Sequence, residues 1–372
     1  MIYLDNAATT YIKPKEVYAA ANRPFANAGR SGHKLALEST AAIEKSRALL
    51  ADFFSIANPD RIVFCASATM ALNFAIHGIL KKGDHIIISG MEHNSVARPA
   101  ISSVAEVSIA KADSTGFISL KSIEDEIRLN TKMIAVLHAS NVTGAINPIA
   151  EIGKLARENG IIFLVDAAQT AGLLPINVAQ MNIDLLAFPS HKHLFGVPGS
   201  GGLFVAEGLS LTPIIQGGTG HNSQSLTQCT ILPTCLESGT QNTAAIHALS
   251  KGIEFINKIG INEIREHDKF LTSYLLENLA GLDNIIVYGP KNADKQIGTV
   301  SFNVKDKDCM FISSLLSTEF DIATRPGYHC AGLAHKSIGT DKIGTVRASL
   351  SYFNTKKDID YLINALWKVA KN

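Results

Sequence analysis

The residues best placed for chemistry lie in Phe188-Pro-Ser-His-Lys-His-Leu-Phe-Gly196. Lys192 follows the apolar run Asp184-Leu-Leu-Ala187, predicted to be a short buried strand, and precedes the glycine-rich turn Val197-Pro-Gly-Ser-Gly-Gly202. An amine held among other cations and partly out of water loses basicity and becomes a nucleophile able to form a Schiff base. Ser190 and His191, immediately before it, could bind a phosphate. The competing reading is an ordinary solvated lysine, since lysines are mostly exposed. A second stretch, Phe163-Leu-Val-Asp-Ala-Ala-Gln169, argues against that by placing an acid at the end of another apolar run.

Asp166 followed by Lys192 suggests a pyridoxal 5'-phosphate (PLP) enzyme. That cofactor needs a lysine for its aldehyde and a carboxylate for its pyridine nitrogen. The carboxylate keeps the nitrogen protonated, so the ring can accept electron density from a substrate carbanion.

Other stretches supply candidates with two readings each. Ala66-Ser-Ala-Thr69 precedes a helix predicted over 70–80, so Ala68 and Thr69 sit where free backbone N–H groups and a hydroxyl suit a phosphate; Thr69 could equally be a helix cap. His93, in Met91-Glu-His-Asn-Ser95, could lie against a cofactor ring or be a hydrogen-bonded structural group. Asn141, in Ala139-Ser-Asn-Val-Thr-Gly144, offers donor and acceptor to a cofactor hydroxyl or substrate carboxylate, or serves turn chemistry. Arg325-Pro-Gly-Tyr-His-Cys-Ala-Gly332 is predicted to be a loop, with Cys330 beside His329 and near Arg325, cationic neighbours that favour a thiolate. Arg347, in the strand-like Gly344-Thr-Val-Arg-Ala-Ser349, needs an anionic partner: a substrate carboxylate gripped bidentately, or an internal salt bridge.

The elements that must position these groups alternate. Strand-like runs are predicted at 62–66, 85–89, 133–138, 161–166, 185–188 and 202–205, each continuously apolar, as in strands buried on both faces of a mainly parallel sheet. Ile149 to Asn159 carries Ile149, Ile152, Leu155 and Ala156 on one helical face, with Gly160 as its stop. Such alternation means α/β layers, and ligands in such sheets bind outside the carboxyl ends of the strands, where Asp166 and Lys192 fall. Beyond Gly239 the pattern changes to helices at 241–258 and 261–280, strands at 298–304 and 345–350, and helices at 310–318 and from 356 onward. The expected division is a large domain over 15–255 and a smaller α+β domain over 256–372, with 1–14 packing at their junction.

Bulk properties narrow the function class. With 34 basic and 33 acidic residues the net charge is +1, which gives nucleic acid no basic surface to bind. A content of 46% hydrophobic and 18% charged residues argues against disorder. No apolar run approaches membrane-span length, and the N-terminus lacks the features of a secretory signal. The five cysteines, Cys65, Cys229, Cys235, Cys309 and Cys330, form no Cys-x-x-Cys pair, so no metal site is expected, and a reducing cytoplasm fits best. Without a Gly-x-Gly-x-x-Gly after the first strands, a nicotinamide-dependent dehydrogenase is rejected.

Taken together, Tyr3-Leu-Asp-Asn-Ala-Ala-Thr-Thr10, Glu92-His93, Ser140-Asn-Val142, Asp166-Ala-Ala-Gln169, Ser190-His-Lys192, Glu237-Ser-Gly-Thr240, Gly327-Tyr-His-Cys330 and Thr345-Val-Arg347 resemble the class V aminotransferase family, in its cysteine desulfurase and selenocysteine lyase branch. The resemblance spans nearly the whole chain. It implies an α/β, fold-type I PLP-dependent transferase, with a mainly parallel seven-stranded-type sheet between helices plus a smaller α+β C-terminal domain, acting as a homodimer. It assigns Lys192 to the Schiff base, Asp166 to the pyridine nitrogen, His93 to stacking on the ring and Gln169 to the ring hydroxyl. Ala68, Thr69, Ser190 and His191 would hold the phosphate, with Thr240 reaching it from the other subunit. Asn141 and Arg347 would bind the substrate carboxylate, and Cys330 would receive the sulfur of L-cysteine as a persulfide and pass it to a protein or thiol acceptor. The alternatives within the class are a selenocysteine lyase acting on L-selenocysteine, or another class V aminotransferase or β-lyase; outside it, a PLP-bound sulfur-relay scaffold without turnover. The stretches around His33, over 216–223 and over Ala334-His-Lys-Ser-Ile-Gly339 depart from the commoner pattern of the branch.

Overall fold

The structure, a computed structural model, describes residues 1–29, 31–221 and 223–371. Asn222, within the divergent 216–223 stretch, lies outside the described residues. The strands in chain order are β1 (Ile2–Tyr3), β2 (Ile62–Cys65), β3 (His85–Ser89), β4 (Glu106–Ala110), β5 (Thr131–Leu137), β6 (Ile162–Asp166), β7 (Leu185–Pro189), β8 (Gly201–Val205), β9 (Ile285–Tyr288), β10 (Thr299–Val304), β11 (Ile322–Ala323), β12 (Arg325–Gly327) and β13 (Thr345–Ser349). The helices are α1 (Lys15–Ala21), α2 (Lys34–Phe54), α3 (Ala68–Ile79), α4 (Asn94–Ser102), α5 (Leu120–Glu124), α6 (Ile149–Glu158), α7 (Thr243–Ile259), α8 (Ile261–Ala280), α9 (Cys309–Phe320), α10 (Gly332–Ser337) and α11 (Lys356–Lys371).

The continuous apolar runs are explained by a sheet covered on both sides. Along β6, Phe163 and Val165 enter one core while Ile162 and Leu164 enter another on the opposite face. On β5 and β7 the same alternation puts Ile134, Val136, Leu186 and Phe188 on the first side and Met133, Ala135, Leu185 and Ala187 on the second. Neither face meets water, so neither needs polar residues. The seven strands run in the order β2-β8-β7-β6-β5-β3-β4. All neighbouring pairs are parallel except those of β8, which is antiparallel to β7 and β2.

β4 was not foreseen as a strand because it sits at the sheet edge, where Glu106 and Ile109 are exposed and the run alternates in polarity. The four-stranded sheet β12-β13-β10-β9 is antiparallel and packs Val300, Phe302, Val346 and Ala348 against α8, α9 and α11 in a core of its own. The boundary expected between 255 and 256 falls inside α7, which runs unbroken to Gly260. The N-terminal segment bridges the two regions: β1 pairs with β11 in a two-stranded sheet of their own, Asn6 Nδ2 donates to Ser349 O on β13 at 2.9 Å, and Thr10 Oγ1 donates to Lys192 O, just past β7, at 2.9 Å.

Candidate active site

Asp166 and Lys192 open on one cavity of about 200 Å³, at the carboxyl ends of β6 and β7. Its walls also carry Ala68, Thr69, His93, Asn141, Gln169, His191, Arg325, His329 and Arg347. Parallel strands of the large sheet ending together bring Asn141, Asp166 and Lys192 to one place, and the antiparallel sheet adds Arg325 and Arg347.

The turn bearing Lys192 is fixed from two sides. From one, the His191 carbonyl accepts from the Thr10 N–H at 3.1 Å and from Thr9 Oγ1 and Lys13 Nζ at 3.2 Å each. From the other, α7 packs so closely that a Cβ on Gly252 would stand 2.0 Å from Leu194 O, leaving room only for glycine. Burial lowers the Lys192 amine to about 8, opposed by Asp166 and assisted by Arg347 and Arg325. The amine is thus less basic than a surface lysine, through burial rather than through its sequence neighbours His191 and His193, which are both lowered to about 4.

Asp166 is buried, and its Oδ1 accepts from the Ala168 N–H at 2.8 Å. Burial raises its carboxyl above the usual range, with that hydrogen bond and Lys192 acting in the opposite direction. A cationic ring N–H would supply the pairing that a buried carboxylate requires.

Ser67, not Thr69, caps α3: its hydroxyl accepts from the Met70 N–H at 3.2 Å. Thr69 lies in the first turn, where N–H groups have no helical acceptor and can meet an anion. Its hydroxyl is 2.8 Å from Ser95 Oγ, which is 2.9 Å from His93 Nδ1. His93 Nδ1 also accepts from the Ser95 N–H at 3.1 Å, which assigns the ring proton to Nε2. Burial, and then Lys192, lower His93 to about 4, so the ring is neutral. His93 is thus a hydrogen-bonded structural group, capping α4, and it also lines the cavity.

Ser190 departs from expectation. Its hydroxyl donates to Val197 O and accepts from Ser200 Oγ at 2.8 Å, because the glycine-rich turn folds back beneath it, and it does not line the cavity. His191 does line it, with a buried Nδ1 that has no partner among the described residues. Gln169 donates through Nε2 to Ala7 O at 3.0 Å and leaves Oε1 buried and unpartnered among the described residues. Asn141 donates through Nδ2 to His329 O at 2.8 Å and leaves Oδ1 in the same condition. Buried polar atoms are ordinarily satisfied. Several orphans around one cavity mark a place for a polar ligand.

Of its two readings, Arg347 takes up the internal salt bridge. Nη2 pairs with Asp5 at 2.7 Å and Nη1 donates to Asn141 O at 2.9 Å, while its buried Nε has no partner among the described residues. Across the β12–β13 ladder it stands opposite Arg325. That stretch was expected to be wholly loop, but it forms the edge strand β12, where Pro326 is tolerated, and continues into the short α10. Two cations paired across strands are unfavourable unless an anion joins them.

Arg325 Nη2 lies 3.4 Å from Cys330 Sγ. Cys330 is exposed, and both it and His329 adopt left-handed backbone conformations (φ 58° and 49°). The turn is held by the Asn141 bond to His329 O and by the Asn94 N–H bond to Cys330 O at 2.8 Å. His329 is not the cationic neighbour expected: burial and Arg347 lower it to about 2, and its Nε2 is 2.8 Å from Thr345 Oγ1. Thr240 is exposed and lines no part of this cavity. Its segment is moored by a bidentate Arg47–Glu237 pair at 2.9 and 3.1 Å.

A model of the family described as aminotransferase class-V matches residues 2–362. The chain belongs to the class-V aminotransferase family. It is 33% identical over 383 residues to a probable cysteine desulfurase of Methanothermobacter thermautotrophicus, a match covering 99% of this chain and 94% of that one. Against a probable cysteine desulfurase of Pyrococcus abyssi it is 34% identical, covering 100% and 95%. Its fold is similar to that of an apo cysteine desulfurase from Thermococcus onnurineus, with a TM-score of 0.93, 33% identity and coverage of 100% and 94%. A cysteine desulfurase from Escherichia coli has a TM-score of 0.87 and 27% identity, over 99% and 94%.

Sequence reasoning did not assign Ser95 or Ser67 to this class-V site, and it treated Arg325 only as a charge near Cys330. The signal for Ser67 was present, a serine opening an apolar helix. Ser95 had no such signal, since its role depends on α3 and α4 meeting.

Proposed function

We propose that this protein is a PLP-dependent cysteine desulfurase. The observation that carries the reading is the common cavity of Lys192, Asp166 and Arg347, with an exposed thiol beside it on Arg325. The cavity fits the cofactor: an amine of lowered basicity for its aldehyde, a buried carboxylate for its ring nitrogen, a neutral histidine for its face, and first-turn N–H groups at Ala68 and Thr69 for its phosphate. His191 adds its free Nδ1 to the phosphate end, and Gln169 its free amide oxygen to the ring. Ser190 supports the turn rather than the phosphate.

When bound, PLP draws electron density from the substrate Cα and makes the Cβ–S bond labile. Lys192 holds the cofactor, yields to the incoming amino group, and then moves the Cα proton. Asp166 keeps its charge against the ring nitrogen. Arg347 and Arg325 hold the substrate carboxylate, and Asn141 orients it. The Cys330 sulfur attacks the substrate sulfur; the S–S bond forms as Cβ–S breaks, the electron pair passes to carbon, and protonation there gives L-alanine. Cys330 is left as a persulfide for transfer to an acceptor thiol or protein. Because Thr240 is exposed and lines no part of its own cavity, the reading includes a homodimer in which it reaches the phosphate of the partner.

Incubation with L-cysteine should give alanine and, with a thiol present, an equal amount of sulfide. Cys330→Ala should lower that rate by about 10²-fold or more while leaving cofactor binding intact. Pyruvate in place of alanine would replace this reading with a β-lyase. Turnover of L-selenocysteine alone would replace it with a selenocysteine lyase.

A further inference from the structure

The motif Glu92-His93 contains a residue that the mechanism does not use. Glu92 is fully buried, one position before the ring-stacking histidine. β3 and β5 pair only as far as Ile88 and Ala135. Beyond that point β3 leans towards β4, the Gly90 N–H donating to Ala110 O at 2.8 Å, and the two strands part.

The parting leaves the Leu137 peptide without its strand neighbour. Side chains take over: Leu137 N–H donates to Glu92 Oε1 at 3.0 Å, and Leu137 O accepts from Asn147 Nδ2 at 2.9 Å. Glu92 Oε1 also accepts from the Ser89 hydroxyl at the end of β3. On its other edge, Leu137 is in register with Asp166, and the next N–H, that of His138, donates to Asp166 O at 2.9 Å. Leu137 itself lines the cavity.

We infer that Glu92 is a positioning residue: its carboxyl closes the fork between β3 and β5 and so holds His93, Asn141 and Asp166 in mutual register for the cofactor. The inference rests on the functional reading above. One carboxyl oxygen ties the strand end that leads to His93 to the strand that leads to Asn141 and pairs with Asp166. The role needs an acceptor at that point and no charge. Burial, with the Asp166 charge adding to it, raises Glu92 to about 8, so near neutral pH the carboxyl is mostly protonated.

The test compares Glu92→Gln, which keeps an acceptor at the same reach, with Glu92→Leu, which removes it, and Glu92→Asp, which keeps a carboxyl but withdraws it by one methylene. Two quantities are read: hydrogen exchange of the Leu137 amide in cofactor-free protein, and the release rate of PLP followed by its visible absorbance in the holoenzyme. The Leu and Asp variants should each exchange and release at least about tenfold faster, and the Gln variant should stay within about threefold of wild type in both. Equal behaviour of wild type and the Leu and Asp variants overturns the inference. So does a Gln variant as impaired as Leu, because ionisation rather than acceptance would then matter. Faster exchange with unchanged release overturns it too, since the carboxyl would then shape only the sheet. If Leu does not fold, Asp against Gln decides the same question. A wild type that takes up no PLP would refute the desulfurase reading, while the exchange arm would still report whether Glu92 closes the fork.

Discussion

Lys192 is prepared for its role by burial before any ligand arrives. With the amine lowered to about 8, about one molecule in ten carries it as free base at pH 7, against about one in three thousand for an unshifted lysine. Attack on an aldehyde needs the free base, so uptake of PLP by the cofactor-free protein should quicken about tenfold per pH unit up to about 8 and then level off. Stopped-flow absorbance checks this; a rate still rising steeply at pH 10 would mean the amine is not shifted. The raised Glu92 carboxyl has its own consequence. A folded value of about 8 against the ordinary 4.5 means that its contribution is fully present below 4.5 and is lost as pH rises through 8. Glu92→Gln does not ionise, so its melting temperature should gain on wild type between pH 4.5 and 8.

At this scale the sequence was informative about which residues meet at the cavity and less so about what each one touches. Lys192, Asp166 and His93 follow from residue type and place at strand ends. The inward turn of Ser190, the neutrality of His329 and the bridge through Ser95 depend on which atoms fill the space between elements, and that is decided only when β7, α3 and α4 pack.

At the scale of elements, the helix start at Ala68 does two jobs, opening α3 and presenting N–H groups to the cavity. Ser67→Ala should cost about 1 kcal/mol of stability as a lost cap. It should also weaken PLP more than pyridoxal, which lacks the phosphate; equal losses for the two in equilibrium titrations would deny the anion role. The buried strands were legible because both faces of the sheet demand apolar side chains. The edges were not. β4 and β12 face solvent along one side, so Glu106 and Pro326 cost little there and the apolar signal is diluted. β9, at the edge of the smaller sheet, is only partly buried and was missed as well.

For the whole molecule, the exposed position of Thr240 makes a prediction about two chains. Thr240→Ala should lower turnover by about 10-fold or more if a bond to a charged phosphate is lost. Mixed with the inactive Lys192→Ala, it should regain activity, since one site of each mixed dimer then combines an intact lysine with an intact threonine. No gain on mixing, in protein shown to have exchanged subunits, would place Thr240 outside the partner's site. The α/β class and the change of pattern after Gly239 were visible in the order of runs along the chain. The helix through 256 was visible as well, over 241–258, so the boundary drawn at 255 cut an element that the sequence itself had indicated.

The cysteines divide sharply by accessibility: Cys65, Cys235 and Cys309 are buried, Cys229 is partly covered, and Cys330 stands exposed on a turn pinned at two carbonyls. A maleimide dye added at one equivalent would therefore label the protein chiefly at that turn, without engineering out the other thiols. Its emission would become an optical gauge of traffic at the cavity entrance, readable while substrate analogues or acceptor proteins are titrated in.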